Sequence, residues 1–200
     1  MARRNDHSRD EIREMALKAA ETIILEKGKD GLSARKIAQE IGYTVGTLYL
    51  IFKNLDDLIL HVNGRTLERL YEKLSSEQQS SSDSKTALLQ LAKTYINFAE
   101  NESNRWKVVF EHRAQTDNTT PEWYQERVGK MFTAVETHLS RLAPHKSPSE
   151  IKDAARALWG GVHGICMLAL TDNLDITGVE SADTLTQSLI NNYLAGFTAG

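Results

Sequence analysis

The stretch from Leu32 to Lys53, LSARKIAQEIGYTVGTLYLIFK, leaves little choice of local structure. Ala34, Ile37, Ala38 and Ile41 fall at i, i+3, i+4 and i+7, which draws one apolar stripe along a short helix. Ser33 stands where a side-chain oxygen accepts from an orphan backbone N–H at a helix start, and Gly42 stands where a left-handed residue ends the helix. A second stripe follows at Val45, Leu48 and Phe52, with Tyr49 beside it. Two short helices joined by a tight turn let a small domain push the second helix into the DNA major groove. The face opposite that second stripe holds Thr44, Gly46, Thr47, Leu50 and Ile51, small or hydroxylated toward the N-terminus, where base edges are approached. The same shape also occurs as plain helix packing, and Tyr49 and Phe52 are expected core residues under either reading.

Composition sets the frame around this motif. The 200 residues, 40% of them apolar and only three of them proline, suit a globular, helix-rich chain of one or two domains. The overall charge of −3 argues against nucleic acid when taken alone. It is unevenly spread, however: the first 53 residues hold 10 Lys and Arg against 8 Asp and Glu, and the remainder 14 against 19. A head of net +2 on a body of net −5 suits a small basic footprint carried by an acidic regulatory module. Arg3 and Arg4 are candidates for a basic arm reaching phosphates or the minor groove, or for a plain tail. The lone Cys166 excludes an intramolecular disulfide and reads as a buried small hydrophobe in a reducing cytosol. No signal core and no apolar run of membrane-spanning length is present, so a cytoplasmic protein without a membrane partner is expected.

Along the chain, Ser8 and Glu11 form a capping box ahead of the stripe Ile12, Met15, Ala16, Ala19, Ala20 and Ile23, which Gly28 terminates. Asn54 can cap a long helix from Leu55, with Asp56 and Asp57 on its N-terminal dipole and Leu58, Val62, Leu67 and Leu70 as contacts. The polar tract Ser75 to Ser84 reads as a loop. Leu88, Leu91, Ala92, Tyr95, Ile96 and Ala99 mark the next helix, and Trp106, Val109 and Phe110 a shorter one. Thr116 to Thr120 reads as a loop, and Pro121 suits the first turn of a helix carrying Trp123, Val128, Met131, Phe132, Val135 and Leu139. Ser147, Pro148 and Glu150 signal a helix to about Leu170 that becomes apolar nearly all round, so it must be buried on more than one side. Gly160, Gly161 and Gly164 would admit a neighbouring helix there, and Leu185, Leu189, Tyr193 and Phe197 stripe the last one. The expectation is an all-α chain: a three-helix DNA-binding head over residues 1–54, then a larger helical ligand-binding and dimerisation domain over 55–200.

The run GYTVGTLYLIFKNLDDLI closely resembles the TetR family of bacterial regulators, in its Gly-Thr-Leu-Tyr sequence, the following Phe and Lys, and the capped apolar helix beyond. The resemblance implies that Thr44 and Thr47 touch bases or phosphates and that Tyr49 sets its hydroxyl on a phosphate. It also implies a phosphate for Lys53, and further phosphate contacts from Ser33 and Arg35 on the preceding helix. Val45 to Phe52 would enter successive major grooves of a roughly palindromic operator, one helix from each subunit of a homodimer, with Val45 and Gly46 at the leading end. Leu50 and Ile51 depart from the family, where polar or aromatic residues are common, so contact with thymine methyls would replace hydrogen-bond readout. In the family the last two long helices of each subunit pair into a four-helix interface. The spacing of Trp159, His163 and Gly164 resembles a Trp-His-Gly C-terminal type found in part of it.

Aromatic and soft side chains gather in the body: Tyr95, Phe98, Trp106, Phe110, Trp123, Met131, Phe132, Trp159 and Met167. Most fill core, and some are candidates to line a pocket. His163, on an otherwise apolar face, needs a hydrogen-bond partner from the protein or from a ligand. His112 reads as a surface pair with Glu111, and no spacing suggests a metal site or a cofactor. The expected function is a repressor released from its operator by an apolar or amphipathic small molecule. A helix-turn-helix dimer without an effector and an activator remain alternatives. An all-helical enzyme finds no nucleophile–base pair, phosphate loop or metal cluster to support it.

Overall fold

The computed structural model describes residues 7–77, 83–112, 120–174, 178 and 181–199. These form nine α-helices and no strand: α1 Arg9–Lys27, α2 Ala34–Glu40, α3 Val45–Tyr49, α4 Leu55–Glu77, α5 Ser84–Asn101, α6 Ser103–Glu111, α7 Glu122–Leu142, α8 Pro148–Leu170 and α9 Ala182–Ala199. The expected basic arm at Arg3 and Arg4, and most of the loop expected at Thr116 to Thr120, lie outside the described residues.

The chain packs as two compact units, one within Met1–Thr66 and Asn104–Thr120, the other within Leu67–Ser103 and Pro121–Gly200. A division at residue 54 follows chain order; by packing, the first unit also takes the start of α4 and nearly all of α6. Its core joins Ala16, Leu17, Ala20 and Ile24 of α1 to Ile37, Ala38, Leu48, Phe52, Leu58, Val62 and Val108. Leu17 and Ile24 fall inside the α1 stripe, with Met15 and Ile23 at its edge. The second unit buries the α5 stripe as expected, from Leu88 to Ala99, together with Leu139, Ala155, Leu158, Cys166, Ile190 and Leu194.

Helix boundaries follow the local signals. Both capping boxes form, at Ser8 with Glu11 and at Ser147 with Glu150, and Pro148 takes the first helical position. The polar tract is not wholly a loop. Ser75, Ser76 and Glu77 continue α4, Asp83 caps α5 by accepting from the Thr86 amide at 2.8 Å, and Ser84 is buried with its hydroxyl 3.2 Å from Nδ1 of His138. The rest of the tract, residues 78–82, lies outside the described residues. Pro121 precedes α7 in extended conformation and serves as its N-cap, one residue earlier than expected.

The last two helices differ in detail from their expected faces. A Cβ on Gly161 would meet Leu189 Cδ2 at 2.6 Å, so this glycine serves the contact of α8 with α9 of the same chain. Gly160 and Gly164 face open space. On α9 the fully buried positions are Thr186, Ile190 and Leu194, whereas Leu185, Leu189, Tyr193 and Phe197 form a half-buried stripe beside them.

Candidate DNA interface and effector site

α2 and α3 are held by short-range bonds that the sequence specifies. The Ser33 hydroxyl accepts from the Lys36 amide at 3.2 Å, and the Thr44 hydroxyl accepts from the Thr47 amide at 3.2 Å. Between them Gly42 sits at φ 73°, a conformation that L side chains rarely adopt and that turns the chain from one helix to the next. A capping hydroxyl spends an acceptor site and keeps its proton, so Ser33 and Thr44 retain a donor. The Thr44 and Thr47 hydroxyl oxygens are 3.0 Å apart, which sets two polar groups side by side at the start of α3.

α3 is shorter than its apolar period. It ends at Tyr49, and Leu50 to Asn54 form turns. The competing signal is the start of α4. Asn54 Oδ1 accepts from the Asp57 amide at 2.8 Å while Asp57 Oδ2 accepts from the Lys53 amide at 2.9 Å, which commits Lys53 and Asn54 to the next helix's cap. Phe52 still reaches the core, its amide donating to the Leu48 carbonyl at 2.9 Å. Two side chains land elsewhere than expected. Tyr49 is 48% exposed and is no core residue, because the short helix leaves it outside the Val45–Leu48 face. Ile51 packs against the head core, so only Leu50, 64% exposed, remains as an apolar group on the outer face.

Arg35, Thr44, Gly46, Tyr49 and Lys53 are exposed, Ser33 and Thr47 are half-buried, and Val45 packs partly into the head core. A Cβ on Gly46 would meet nothing nearer than Thr44 Oγ1 at 3.6 Å, an ordinary contact, so no neighbour in the chain requires a glycine there. Two residues that sequence reasoning passed over hold α3 at its ends. His7 Nδ1 lies 2.9 Å from the Tyr43 hydroxyl, just ahead of the Thr44 cap, and Arg9 Nη2 donates to the Leu50 carbonyl at 2.5 Å. No periodicity reports such pairs, which join residues 36 and 41 positions apart.

In the second unit a smaller set of the expected effector residues meets. The Tyr95 hydroxyl is 2.8 Å from His163 Nδ1, the protein partner that a histidine on an apolar face requires. The His163 ring lies 5.0 Å from Trp159, which in turn meets Phe132 edge-on at 5.8 Å. Arg156 stacks over Phe132 at 4.2 Å and bonds Glu136. Met167 is half-buried one turn beyond His163 on α8. Phe98 is fully buried, with the Lys73 ammonium 5.1 Å from its ring centre, and Trp123 carries Arg127 over its face at 5.0 Å. Trp106 and Phe110, 4.7 Å apart, belong to the first unit by packing.

His112 is not a surface partner of Glu111. Its side chain is 6% exposed and lies 3.3 Å from Asp56 Oδ1, because α6 packs into the first unit. Burial pushes the imidazoles of His112, His138 and His163 below the ordinary histidine range; Asp56 partly offsets this at His112, and Arg141 adds to it at His138. An imidazole with a lowered folded value binds its proton less readily in the native chain than in the unfolded one. The stability it contributes is complete above the ordinary value near 6.5 and is lost as pH falls through the folded value. Urea midpoints should therefore stay level above about pH 7 and decline below about pH 6.5. A midpoint unchanged down to about pH 5.5 would show that these rings accept protons in the folded chain.

Burial, aided by Glu100, pushes the Cys166 thiol up to about 12, so it behaves as an apolar group. Among the described residues no helix is long and apolar enough to cross a membrane, and no group of three or more His, Cys, Asp or Glu is placed to hold a metal.

A family model described as "Bacterial regulatory proteins, tetR family" matches residues 16–62, and one described as "Tetracyclin repressor-like, C-terminal domain" matches residues 88–193, more than half of the chain. No curated protein is a significant match. The fold is similar to that of a protein of unknown function from Rhodococcus sp. RHA1, with 18% identity over 98% of each chain and a TM-score of 0.75. It is also similar to the transcriptional regulator FadR from Bacillus subtilis in complex with stearoyl-CoA, with 17% identity, 92% of this chain and 98% of that one covered, and a TM-score of 0.69. The fatty acid degradation regulator FadR from Bacillus halodurans gives 17% identity, 91% and 94% coverage and a TM-score of 0.63. A helix-turn-helix head with an outward polar helix, a separate all-helical unit, and matches to both parts agree: the chain belongs to the TetR family of DNA-binding transcription regulators, with a ligand-binding C-terminal domain.

Proposed function

We propose that this chain is a homodimeric transcriptional repressor that binds a palindromic operator through residues 1–54 and releases it when a small molecule enters residues 55–200. The observation that carries the reading is the outer face of α3. Thr44, Gly46, Thr47 and Tyr49, with Lys53 just beyond, present hydroxyls, a bare backbone and a cation on a surface that the chain's own packing does not need. Bare backbone at Gly46 allows close approach to the groove, and the hydroxyls of Ser33, Thr44 and Tyr49 can donate to phosphates with Arg35 and Lys53 supplying charge. Such a protein works in the cytoplasm, where the chromosome lies, and needs no catalytic group.

Dimerisation through α8 and α9 is supported by the open space over Gly160 and Gly164 and by the half-buried stripe Leu185, Leu189, Tyr193 and Phe197. The two heads would then meet half-sites one helical turn, or a multiple of it, apart. For the effector, the cluster of Phe132, Trp159, His163 and Tyr95 offers apolar walls around one polar pair, which suits an apolar or amphipathic molecule. Coupling of about 1 to 3 kcal/mol between the two sites would weaken operator binding roughly 5- to 150-fold.

Fluorescence anisotropy on DNA selected from random sequence tests the reading. A palindromic site is expected, with relaxed sequence preference in Thr47→Ala and a salt slope reduced by about 1 per half-site in Lys53→Ala. Stearoyl-CoA, the molecule held by the Bacillus subtilis FadR structure, is the first effector to add to the bound complex. Selection of no site, with both variants indistinguishable from wild type, would reduce the head to a packing motif.

A further inference from the structure

Between the second half of α4 and α7, the second unit has an open groove of about 210 Å³ lined by Tyr71, Lys130, Thr133, Thr137, His138 and Arg141. Its charge runs against its surroundings. Beyond residue 53 the chain carries 14 Lys and Arg against 19 Asp and Glu, yet this lining holds two cations and no carboxylate. Neither Lys130 nor Arg141 has an ion-pair or hydrogen-bond partner among the described residues, whereas Arg127, less than one turn before Lys130, is bonded to Glu68 at 2.6 Å. Unpaired cations facing a concave, hydroxyl-bearing wall are prepared for an anion that the chain itself does not supply.

The spacing narrows the class of anion. Lys130, Thr133, Thr137 and Arg141 share one face of α7, and eleven residues at 1.5 Å each put the backbones of Lys130 and Arg141 about 16 Å apart along the helix axis, a gap that two side chains of this length can close to the width of a small polyanion. Both side chains line the groove together with Thr133 on the same helix and Tyr71 on α4, while the Thr137 hydroxyl donates to the Thr133 carbonyl at 2.8 Å and is left as an acceptor. Lysine acts as a point charge and arginine as a planar fork toward phosphate oxygens. His138 is buried with its Nδ1 3.2 Å from the Ser84 hydroxyl, and burial, with Arg141, pushes its imidazole below the ordinary histidine range, so the positive charge of the groove comes from Lys130 and Arg141. At about 210 Å³ and open to solvent, the groove has room for a group the size of a diphosphate, with the rest of any larger ligand outside it.

We propose that this groove binds a diphosphate group, with Lys130 and Arg141 neutralising its charge and the hydroxyls of Thr133 and Tyr71 donating to its oxygens. The diphosphate is either free or part of a nucleotide. The site is separate from α3, and its test does not depend on DNA binding.

Calorimetric titration of the full chain with inorganic pyrophosphate and with ADP, at constant ionic strength, decides the matter. Saturable binding is expected, weakened at least tenfold in the double variant Lys130→Gln, Arg141→Gln. Tighter binding of ADP would assign the diphosphate to a nucleotide; tighter binding of pyrophosphate would assign it to the free ion. Both substituted side chains are exposed, so the variant should keep the wild-type far-UV circular dichroism and urea midpoint; Lys130→Arg should retain most of the affinity. Failure of both ligands to saturate at millimolar concentration would overturn the proposal. So would undiminished binding by the double variant, which would place the anion elsewhere, on the basic head for instance.

Discussion

Phe52→Ala should lower the folding stability by about 3 to 5 kcal/mol and remove operator binding at temperatures where the wild type still binds. The ring is 2% exposed and packs among Leu17, Ile24, Ile37, Leu48 and Leu58, so its loss opens a cavity where α1, α2, α3 and α4 meet. Two further groups lean on it: the Arg13 guanidinium lies 5.8 Å from the ring centre and the His61 imidazole 6.0 Å. The position also carries the connection from recognition helix to α4, since its amide closes the last turn onto the Leu48 carbonyl. A cavity there removes both stability and the fixed placement of Tyr49 and Lys53. Phe52→Leu keeps most of the volume and should cost about 1.5 kcal/mol or less. Urea unfolding followed by circular dichroism, beside operator anisotropy, reads both quantities. A loss under 1 kcal/mol in the alanine variant would mean that α3 is not held by this core.

What the sequence revealed about this head was local. Caps at Ser8 and Ser33, the left-handed turn at Gly42 and the stripe of α1 each depend on residues within a few positions, and each is found where spacing places it. The length of α3 was not legible in the same way, because two local signals overlap: an apolar period running to Phe52 and a cap at Asn54 that claims Lys53. The period alone cannot say which wins. Structure resolves it through the Asp57 bond to the Lys53 amide, and Tyr49 becomes exposed as a result.

Non-local pairings escaped the sequence altogether. Arg9 to the Leu50 carbonyl, His138 to Ser84 and His112 to Asp56 join residues 41, 54 and 56 positions apart, and none leaves a period or a motif. The residues proposed for the effector show the same division. His163 on an apolar stripe signalled that a partner was needed, and Tyr95 supplies it from α5. Which aromatics would join them depends on how the helices pack, so Trp159 and Phe132 do while Trp106 and Phe110 fall in the other unit.

That last placement has a measurable consequence. Trp106→Ala should lower stability by about 3 to 5 kcal/mol, as a filled core position does, while leaving effector affinity of the folded protein near the wild-type value. The indole is 1% exposed, and α6 is tied into the first unit on both sides of it. Asn104 donates to the Leu25 carbonyl at 2.8 Å, Val108 joins the head core, and Asn63 of α4 donates to the Val108 carbonyl at 3.2 Å. Hydrogen exchange should then show lost protection first in α6. Trp159→Ala makes the contrast. That ring is only half-buried, so the cost in stability is smaller, and the larger effect should fall on effector affinity because the indole faces His163. Trp106→Phe retains much of the volume and should recover most of the stability. Unchanged stability together with weakened effector binding in Trp106→Ala would reverse the assignment, making Trp106 a wall of the effector site and not a support of the head.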